Sequence, residues 1–226
     1  MNQFTCFKSY DVRGKLNENF DEKICYKIGR AFAIFFSAKK VVVGYDSRTS
    51  SSSLSEALIK GIMDQGSDVL GIGLSGTEEV YWATKQFDAC GGIEVTASHN
   101  PIDYNGLKFI KSGSIPLDQE SELYAIKRIA EKGNFPPVKM RGNYFDKKEE
   151  SKRSFSDQIF SFFGENNVKP LKIVINFGNG AAGPAFSYVE KKINQQTKKI
   201  VFEKMFQSPD GTFPNGIPNP MLIENR

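Results

Sequence analysis

The sequence predicts an α/β protein with a mixed, mostly parallel sheet that carries helices on both faces. A second, incomplete α/β unit of the same type is predicted to follow. Short β-branched runs alternate with amphipathic segments of about 10–15 residues, which is typical of βαβ units. The same alternation starts a second time late in the chain. We therefore predict a first unit at residues 1–147 and a second unit at residues 148–226.

The predicted elements of the first unit follow from apolar spacing. The strands are expected at residues 40–46, 68–73, 92–96 and 107–110. Helices are expected at residues 21–37, from Leu54 to the stop at Gly66, and at residues 77–87 and 118–132. Asp21 and Thr77 are predicted to cap the helices that they begin, because short polar side chains accept the free N–H groups there.

The second unit is expected to be short of strands. Residues 133–151 are charged and weakly periodic, so we predict a linker there. Helices at residues 155–163 and 184–193 and strands at residues 171–177 and 200–203 follow. Two strands are too few for a stable open sheet. The proline-rich residues 208–226 offer no element that would complete it, so we expect the missing part to come from other polypeptide.

Composition excludes several classes of function. The 226 residues include 30 basic and 26 acidic ones, and a net charge of +4 argues against nucleic acid or a membrane as partner. No apolar run approaches the ~18 residues of a membrane span, and the N-terminus lacks the pattern of a secretory signal. The three cysteines are scattered, which favours a reducing, cytoplasmic location over disulfides or zinc. A single histidine excludes a His-based metal cluster.

The most informative run is Thr96-Ala-Ser-His-Asn-Pro101, which follows a predicted strand. We call residues 96–101 the serine loop. Open α/β sheets bind ligands beyond the carboxyl ends of their strands, so Ser98 there is a candidate nucleophile or phosphate carrier. The alternative is an ordinary turn in which Ser98 and Asn100 bond only the backbone. The motif is too short to decide between them by itself.

A serine hydrolase is not expected. His99 adjoins Ser98, and neighbouring side chains in an extended loop point to opposite sides, so the two are predicted not to form a catalytic pair. The G-x-S-x-G elbow of α/β-hydrolases is missing from this stretch.

Cations and glycines accompany the predicted turns. Arg13 is expected in an early loop, Arg48 just past the first strand and Lys108 just past the serine loop. Together they favour phosphate chemistry, whereas any one of them alone could be a solvated surface charge. The glycine-rich turn at residues 178–183 could cradle phosphate, but tight packing between strand and helix is the preferred interpretation.

These runs together resemble the α-D-phosphohexomutase family. The resemblance extends along the whole chain, and the serine loop is its most specific part. The matching pieces in the first unit are Phe7-Lys-Ser-Tyr-Asp-Val-Arg-Gly14, Gly44-Tyr-Asp-Ser-Arg48, Gly76-Thr-Glu-Glu79, Gly92-Ile-Glu-Val-Thr-Ala-Ser-His-Asn-Pro101 and Asp103-Tyr-Asn-Gly-Leu-Lys108. The second unit adds Asn176-Phe-Gly-Asn-Gly-Ala-Ala-Gly183 and Pro209-Asp-Gly-Thr-Phe-Pro-Asn-Gly-Ile-Pro-Asn-Pro220.

The resemblance implies a mechanism. Ser98 would carry a phosphoryl group, donate it to a hexose monophosphate and recover another from the bound 1,6-bisphosphate. The residues in the motifs resemble those of the mannose-type enzymes, which implies mannose 6-phosphate and mannose 1-phosphate as substrates. Glucose phosphates, or both sugars, are the alternative. The family implies Mg²⁺ on a phosphoserine oxygen. Arg13 and Lys108 would stabilise the transferring group, with Lys108 or His99 handling the proton. The remaining predicted substrate-binding or loop-supporting residues are Tyr10, Arg48 and Asn100.

The chain also departs from the family pattern. Family members have four domains, and these residues resemble only the first and much of the second. The aspartate loop that binds magnesium, the sugar-selecting loop and the phosphate-binding domain have no match here. We therefore expect this polypeptide to be inactive or nearly so by itself, with a separate chain as one possible source of the missing domains. The non-enzyme alternative is a protein that binds sugar phosphate or a partner without turnover.

Overall fold

The computed structural model describes residues 3–164, 168–216, 219 and 221–223. Its main feature is a seven-stranded mixed sheet in the order β1-β5-β4-β2-β3-β7, with β6 paired to β5. Pairing is antiparallel on both sides of β5 and parallel between the other neighbours, so β5 alone runs against the rest. The predicted fold class is confirmed. The strands are β1 Val12–Lys15, β2 Lys40–Tyr45, β3 Asp68–Leu74, β4 Gly91–Val95, β5 Tyr104–Lys111, β6 Ile115–Pro116 and β7 Tyr144–Asp146.

Four α-helices accompany this sheet. They are α1 Glu22–Phe35, α2 Ser51–Asp64, α3 Thr77–Gln86 and α4 Tyr124–Lys132, the last preceded by a π-helical turn at Gln119–Leu123. Asp21 caps α1 as predicted, since its side chain accepts the N–H of Ile24. The predicted cap at Thr77 is wrong, because Gly76 is the capping residue and its N–H is accepted by Glu79.

Alternate side chains of the strands pack into two separate cores. Val41, Val43 and Ile93 join the larger core with residues of α1, α2 and α4. Val42 and Ile72 face the other way and join a smaller core with residues of α3. Helices therefore cover both faces, which explains why the strands read as continuous apolar runs.

Two predictions about the first unit are corrected. Arg13 lies in strand β1, not in a loop, and β1 went unpredicted because its charged residues hide the alternation. Residues 133–151 are not simply a linker. Strand β7 within them pairs in parallel with β3, in a short edge strand whose side chains are exposed. Its three residues, Tyr144, Phe145 and Asp146, are too few to show a periodic signal, and its short length fits an edge position.

The second unit contains helices α5 Lys148–Ser161 and α6 Ala182–Gln196 and strands β8 Leu171–Asn176 and β9 Ile200–Met205. The two predicted strands are confirmed, and they form a two-stranded parallel sheet. Val189, Ile193 and Ile200 form a small core on one side of it. On the strands themselves Val174 is 60% exposed and Val201 is 55% exposed.

Residues 206–216, which follow β9, pack against the first unit; of the proline-rich residues 208–226, positions 217, 218, 220 and 224–226 lie outside the described part of the chain. We call residues 206–216 the distal loop. Phe213 is buried within it, and Gly211 lies against the main chain of residues 47–49 in the first unit. Within the described residues, no helix combines the length and apolar character needed to cross a membrane.

Candidate active site

The serine loop connects β4 to β5 at the carboxyl end of β4. Ser98 and His99 are exposed at its tip, whereas Thr96 and Ala97 at its start are buried. The N–H of Ser98 donates to Thr96 Oγ1 over 2.9 Å, and the N–H of Asn100 donates to the Ala97 carbonyl over 3.0 Å. The loop thus presents the Ser98 hydroxyl to solvent from a bonded turn.

Ser98 has an unusual backbone conformation. Its φ of +55° lies in the left-handed region, which costs an L-residue roughly 1–2 kcal/mol. Such a conformation persists only where the surroundings hold it, and it is enriched at functional sites. The contacts of Arg48 provide the restraint.

Arg48 is 3% exposed and its guanidinium lies beneath the serine loop. Nη1 donates to the carbonyls of Pro101 (2.8 Å) and Tyr104 (3.1 Å). Nη2 donates to the carbonyls of Ser98 (3.1 Å) and Asn100 (2.6 Å). Burial lowers the pKa of Arg48 from its ordinary value. The two terminal nitrogens are therefore directed at the main chain of the loop and not at the solvent.

Asp46 orients Arg48 from the end of β2. Its Oδ2 lies 3.6 Å from Arg48 Nε, and its Oδ1 accepts the Arg48 N–H over 3.0 Å and the Ser51 hydroxyl over 2.5 Å. Asn105 at the start of β5 completes this polar group by donating to the hydroxyls of Ser50 and Ser51. Asp46 and Asn105 were not predicted as site residues, although both lie inside the motifs that carry the family resemblance.

Arg13 reaches the same loop from β1. Its Nη1 donates to the carbonyls of Thr96 and Val12, and its Nη2 lies 2.9 Å from Asp11 Oδ2. Burial lowers the pKa of Arg13 and raises that of Asp11, and their mutual attraction opposes both shifts. Arg13 therefore supports the buried start of the serine loop.

Lys108 lies farther into the sheet than predicted. It is opposite Glu94 in the register of β4 and β5, and β5 runs away from the loop. It shares a sheet face with Arg13, because Arg13 is opposite Gly106 and Gly106 is two residues from Lys108. Lys108 is half-buried, and its charge acts on Asp11 to lower the pKa of that carboxyl. Among the described residues, no hydrogen bond or ion pair joins it to Ser98.

The prediction that Ser98 and His99 point apart is wrong. His99 Nδ1 lies 3.2 Å from Ser98 Oγ. The extended geometry assumed for the prediction does not exist, because the left-handed turn at Ser98 brings consecutive side chains together. Within the part of the chain that the structure describes, no carboxylate bonds the other ring nitrogen, so a hydrolase triad is still not formed.

The two other predicted residues differ in placement. Tyr10 is 75% exposed beside Arg13, on whose pKa it acts. Asn100 is half-buried, and its amide donates to the Ala97 carbonyl over 2.8 Å. Asn100 thus stabilises the turn of the serine loop, while Tyr10 is open to solvent.

Glu94 is a further buried carboxyl that sequence reasoning missed. It is fully buried in β4, Oε2 accepts the Ser75 hydroxyl over 3.0 Å, and Oε1 has no hydrogen-bond partner. Burial raises its pKa well above the ordinary value, and the nearby Asp46 adds to this. A glutamate inside the apolar run Gly92-Ile-Glu-Val95 was the available signal.

The glycine-rich turn at residues 178–183 serves packing. A Cβ on Gly183 would lie 2.1 Å from the Gln207 carbonyl oxygen, so α6 approaches the distal loop closely there. Gly183 thus allows a close contact, but between helix and loop instead of the predicted contact between helix and strand.

The described residues do not form a magnesium site on their own. No group of three or more His, Cys, Asp or Glu side chains among them could hold a metal ion. Asp46 is engaged by Arg48 and Ser51, as described above. The chemistry available at the serine loop is that of a hydroxyl, an imidazole and cations.

Comparison with known proteins agrees with this geometry. Residues 5–136 match the family described as phosphoglucomutase/phosphomannomutase, alpha/beta/alpha domain I. A phosphomannomutase of Salmonella montevideo is 47% identical over the whole chain. A Xanthomonas campestris protein with the name "Phosphohexose mutases" is 38% identical over 97% of the chain. The chain spans 50% and 48% of their lengths, respectively.

A solved structure supports the same relationship. The crystal structure of a phosphoglucomutase/phosphomannomutase family protein from Burkholderia thailandensis superposes with a TM-score of 0.80 at 30% identity. It covers all of this chain, which spans 49% of that protein. From these matches and the serine loop, the chain belongs to the phosphoglucomutase/phosphomannomutase family.

Proposed function

We propose that Ser98 is the phosphoryl carrier of a phosphohexose mutase, acting on mannose 6-phosphate and mannose 1-phosphate in the cytoplasm. The observation that carries the proposal is the exposed Ser98 hydroxyl on a strained turn whose carbonyls bond the buried Arg48. The phosphomannomutases among the relatives favour mannose over glucose as the sugar. Because the chain spans half of those relatives, we propose that it supplies one half of the working site.

The reaction has two balanced halves. A hydroxyl oxygen of the hexose monophosphate attacks the phosphorus on Ser98, and the bond between phosphorus and Oγ breaks. Oγ takes up a proton while the sugar hydroxyl loses one. In the second half the Ser98 hydroxyl loses its proton and its oxygen attacks the other phosphorus of the 1,6-bisphosphate. The bond between that phosphorus and the sugar oxygen breaks, and the sugar oxygen takes up a proton as the isomeric monophosphate leaves.

The residues around Ser98 have distinct parts in this scheme. His99 can exchange the proton of Oγ, since its Nδ1 is 3.2 Å away. Arg13 and Lys108 supply positive charge on one sheet face for the transferring group, and the exposed Tyr10 is open to contact the sugar. Arg48 and Asn100 hold the loop. Their contacts favour positioning over direct binding of the substrate.

Mg²⁺ is proposed to bind an oxygen of the phosphoserine. The ion prefers six oxygen ligands, and the described residues offer no carboxylate cluster at Ser98. The remaining ligands would come from polypeptide outside the described residues, so no step above depends on the ion.

Phosphorylation of Ser98 tests the proposal directly. The full chain is incubated with mannose 1,6-bisphosphate and Mg²⁺, and its intact mass is followed. We expect a gain of one phosphoryl group that maps to Ser98 and is abolished in Ser98→Ala. Ser112→Ala removes another exposed serine and is the matched control, which should still take the phosphate. A phosphate at another residue, or one retained by Ser98→Ala, would contradict the proposal.

Two comparisons refine the assignment. Equal rates with glucose 1,6-bisphosphate would indicate a dual-specificity enzyme instead of a mannose enzyme. A coupled mutase assay of the chain alone is expected to stay near background, because positioning by several domains supplies most of the rate in phosphoryl transfer. The mass measurement needs only one slow phosphorylation of Ser98 per molecule, whereas the coupled assay needs repeated turnover. Full turnover by these residues alone would show that no further domain is needed.

A further inference from the structure

We propose that the distal loop of the second unit is part of the apparatus that positions Ser98. It braces Arg48, which in turn holds the serine loop. The inference deepens the proposed function, on which it rests for the role of Ser98. Its residues, Gly211 and Phe213 above all, are positioning residues because they act through Arg48 and do not touch the serine.

Close approach at Gly211 is the first observation. A Cβ at this position would lie 2.3 Å from the Ser47 carbonyl oxygen and 2.6 Å from the Thr49 nitrogen. Both are main-chain atoms, which cannot swing aside as a side chain would. The absence of a side chain at Gly211 therefore lets the distal loop rest directly on the turn that carries Arg48.

Phe213 makes the second contact. Its ring centroid is 5.8 Å from Arg48 Cζ, within the range of a cation–π interaction, and the residue is 9% exposed. Its φ of +49° is in the left-handed region, which is rare for a bulky residue. A conformation of that cost is maintained by surrounding packing, and part of that packing is with Arg48.

Asn179 holds the distal loop in shape. Its main-chain N–H donates to the Phe206 carbonyl, its carbonyl accepts the Asp210 N–H, and its amide donates to the Ser208 carbonyl. Asn215 donates to Asn179 Oδ1 over 3.0 Å. A single nearly buried side chain thus fixes both ends of the segment that carries Gly211 and Phe213.

The contact with Phe213 restrains the direction in which Arg48 donates its hydrogen bonds. The four bonds to loop carbonyls require one orientation of the guanidinium, and the Phe213 ring excludes water from one side of it. Bonds shielded from water are stronger and better ordered. Loss of the brace is therefore expected to loosen the serine loop without removing any group that contacts the substrate.

Hydrogen exchange of the full chain tests the brace without relying on activity. In Phe213→Ala we expect amides of residues 96–105 to exchange about fivefold faster, as loss of a cation–π contact of ordinary strength implies. Gly211→Ala, which forces the two loops apart, is expected to give a larger increase of about tenfold. Phe162→Ala and Gly164→Ala are the matched controls, since Phe162 is 80% exposed and a Cβ on Gly164 meets open space. Neither control should change the loop.

Further readouts separate the possible failures. Exchange in β2 and β9 reports whether a variant has unfolded, and Phe213→Leu replaces the alanine variant if it has, since it keeps most of the volume. Unchanged exchange of the serine loop in Phe213→Leu and Gly211→Ala, with β9 intact, would overturn the brace. Slower phosphorylation of Ser98 in the same variants would support it. If the unmodified protein takes no phosphate at Ser98, the proposed function fails, while the exchange comparison still decides whether the brace exists.

Discussion

The two sheets of this protein illustrate different ways of stabilising α/β structure. In the sheet of the first unit the inner strands are buried on both faces, and residues such as Val41, Val42 and Ile93 have no exposed surface. In the two-stranded sheet of the second unit Leu171, at 50%, and Val174, at 60%, remain exposed. The first unit builds its own core, whereas the second covers only one side of its sheet.

The second unit compensates by contacts with the first. Lys152 of α5 is nearly buried, donates to the Leu74 carbonyl and pairs with Glu79 Oε2 at 3.5 Å. Phe155 of the same helix packs edge to face on Trp82, with ring centroids 5.8 Å apart. Helix α5 therefore packs against both units. The stability of β8 and β9 is expected to depend on the first unit more than the reverse.

The largest effect should come from truncating matched leucines in the two units. Leu58→Ala removes a fully buried side chain of α2 and should lower the free energy of unfolding by about 3–5 kcal/mol. Leu171→Ala in β8 removes a half-exposed one and should cost about 1 kcal/mol or less. Urea denaturation measures both. Equal losses would mean that the second sheet is buried by contacts that the structure does not contain.

Removal of Lys152 tests the link between the units. Lys152→Met leaves Glu79 buried without its ion-pair partner and should cost about 2 kcal/mol, since the Gly76 N–H still bonds Glu79. Burial already raises the pKa of Glu79 and Lys152 opposes that shift, so the cost should be greater at pH 8 than at pH 5. Lys191→Met, at an exposed position of α6, is the control and should change little. Hydrogen exchange should show β8 and β9 loosening before β2; simultaneous loosening would argue against the proposed dependence.

Glu94 adds a pH dependence that belongs to the first unit. Burial raises the pKa of Glu94 in the folded state. Above pH 4.5, the ordinary pKa of a glutamate, the unfolded chain therefore loses a proton that the folded chain keeps on Glu94. Stability is therefore lost as pH rises above that value. Glu94→Gln mimics the neutral acid and should be more stable than the unmodified protein at pH 8, with the difference disappearing below pH 4.5. Glu56→Gln, on the exposed side of α2, is the control. A constant difference across the pH range would show that folding does not raise the pKa of Glu94.

The smallest effect is expected on the exposed face of the second sheet. Lys172 Nζ and Glu203 Oε1 are 2.7 Å apart across β8 and β9, and both side chains are more than half exposed. Lys172→Ala should change the free energy of unfolding by about 0.5 kcal/mol or less, because water and salt screen the pair. A loss above about 2 kcal/mol in urea denaturation would indicate that this face is covered by another surface.

Much of the fold followed from apolar spacing. The helices and strands with strong periodicity, such as α1, β2 and β3, lie where they were predicted. Strands β1 and β7 were missed because four and three residues are too few to show a period, and their place in the sheet comes from partners distant in sequence. No local pattern encodes such pairing.

The candidate site was predicted in part. Ser98 and Arg48 were named correctly as residues of the same sheet edge, since each follows a strand that ends there. The hydrogen bonds from Arg48 to the carbonyls of the serine loop were not predictable, because no sequence pattern indicates that a guanidinium will donate to main-chain carbonyls. His99 beside Ser98 Oγ required the left-handed φ of Ser98, which only the folded loop holds.

The amino-acid sequence by itself determined the alternation of strands and helices, the identity of the candidate phosphoryl carrier and the family. Those depend on local spacing and on short motifs, which can be read along the chain. Tertiary structure alone decided that Arg48 lies under the serine loop, that Lys108 lies opposite Glu94 and that the distal loop rests on residues 47–49. These arrangements depend on which distant backbone groups meet when the sheet closes, and that is a property of the packed chain.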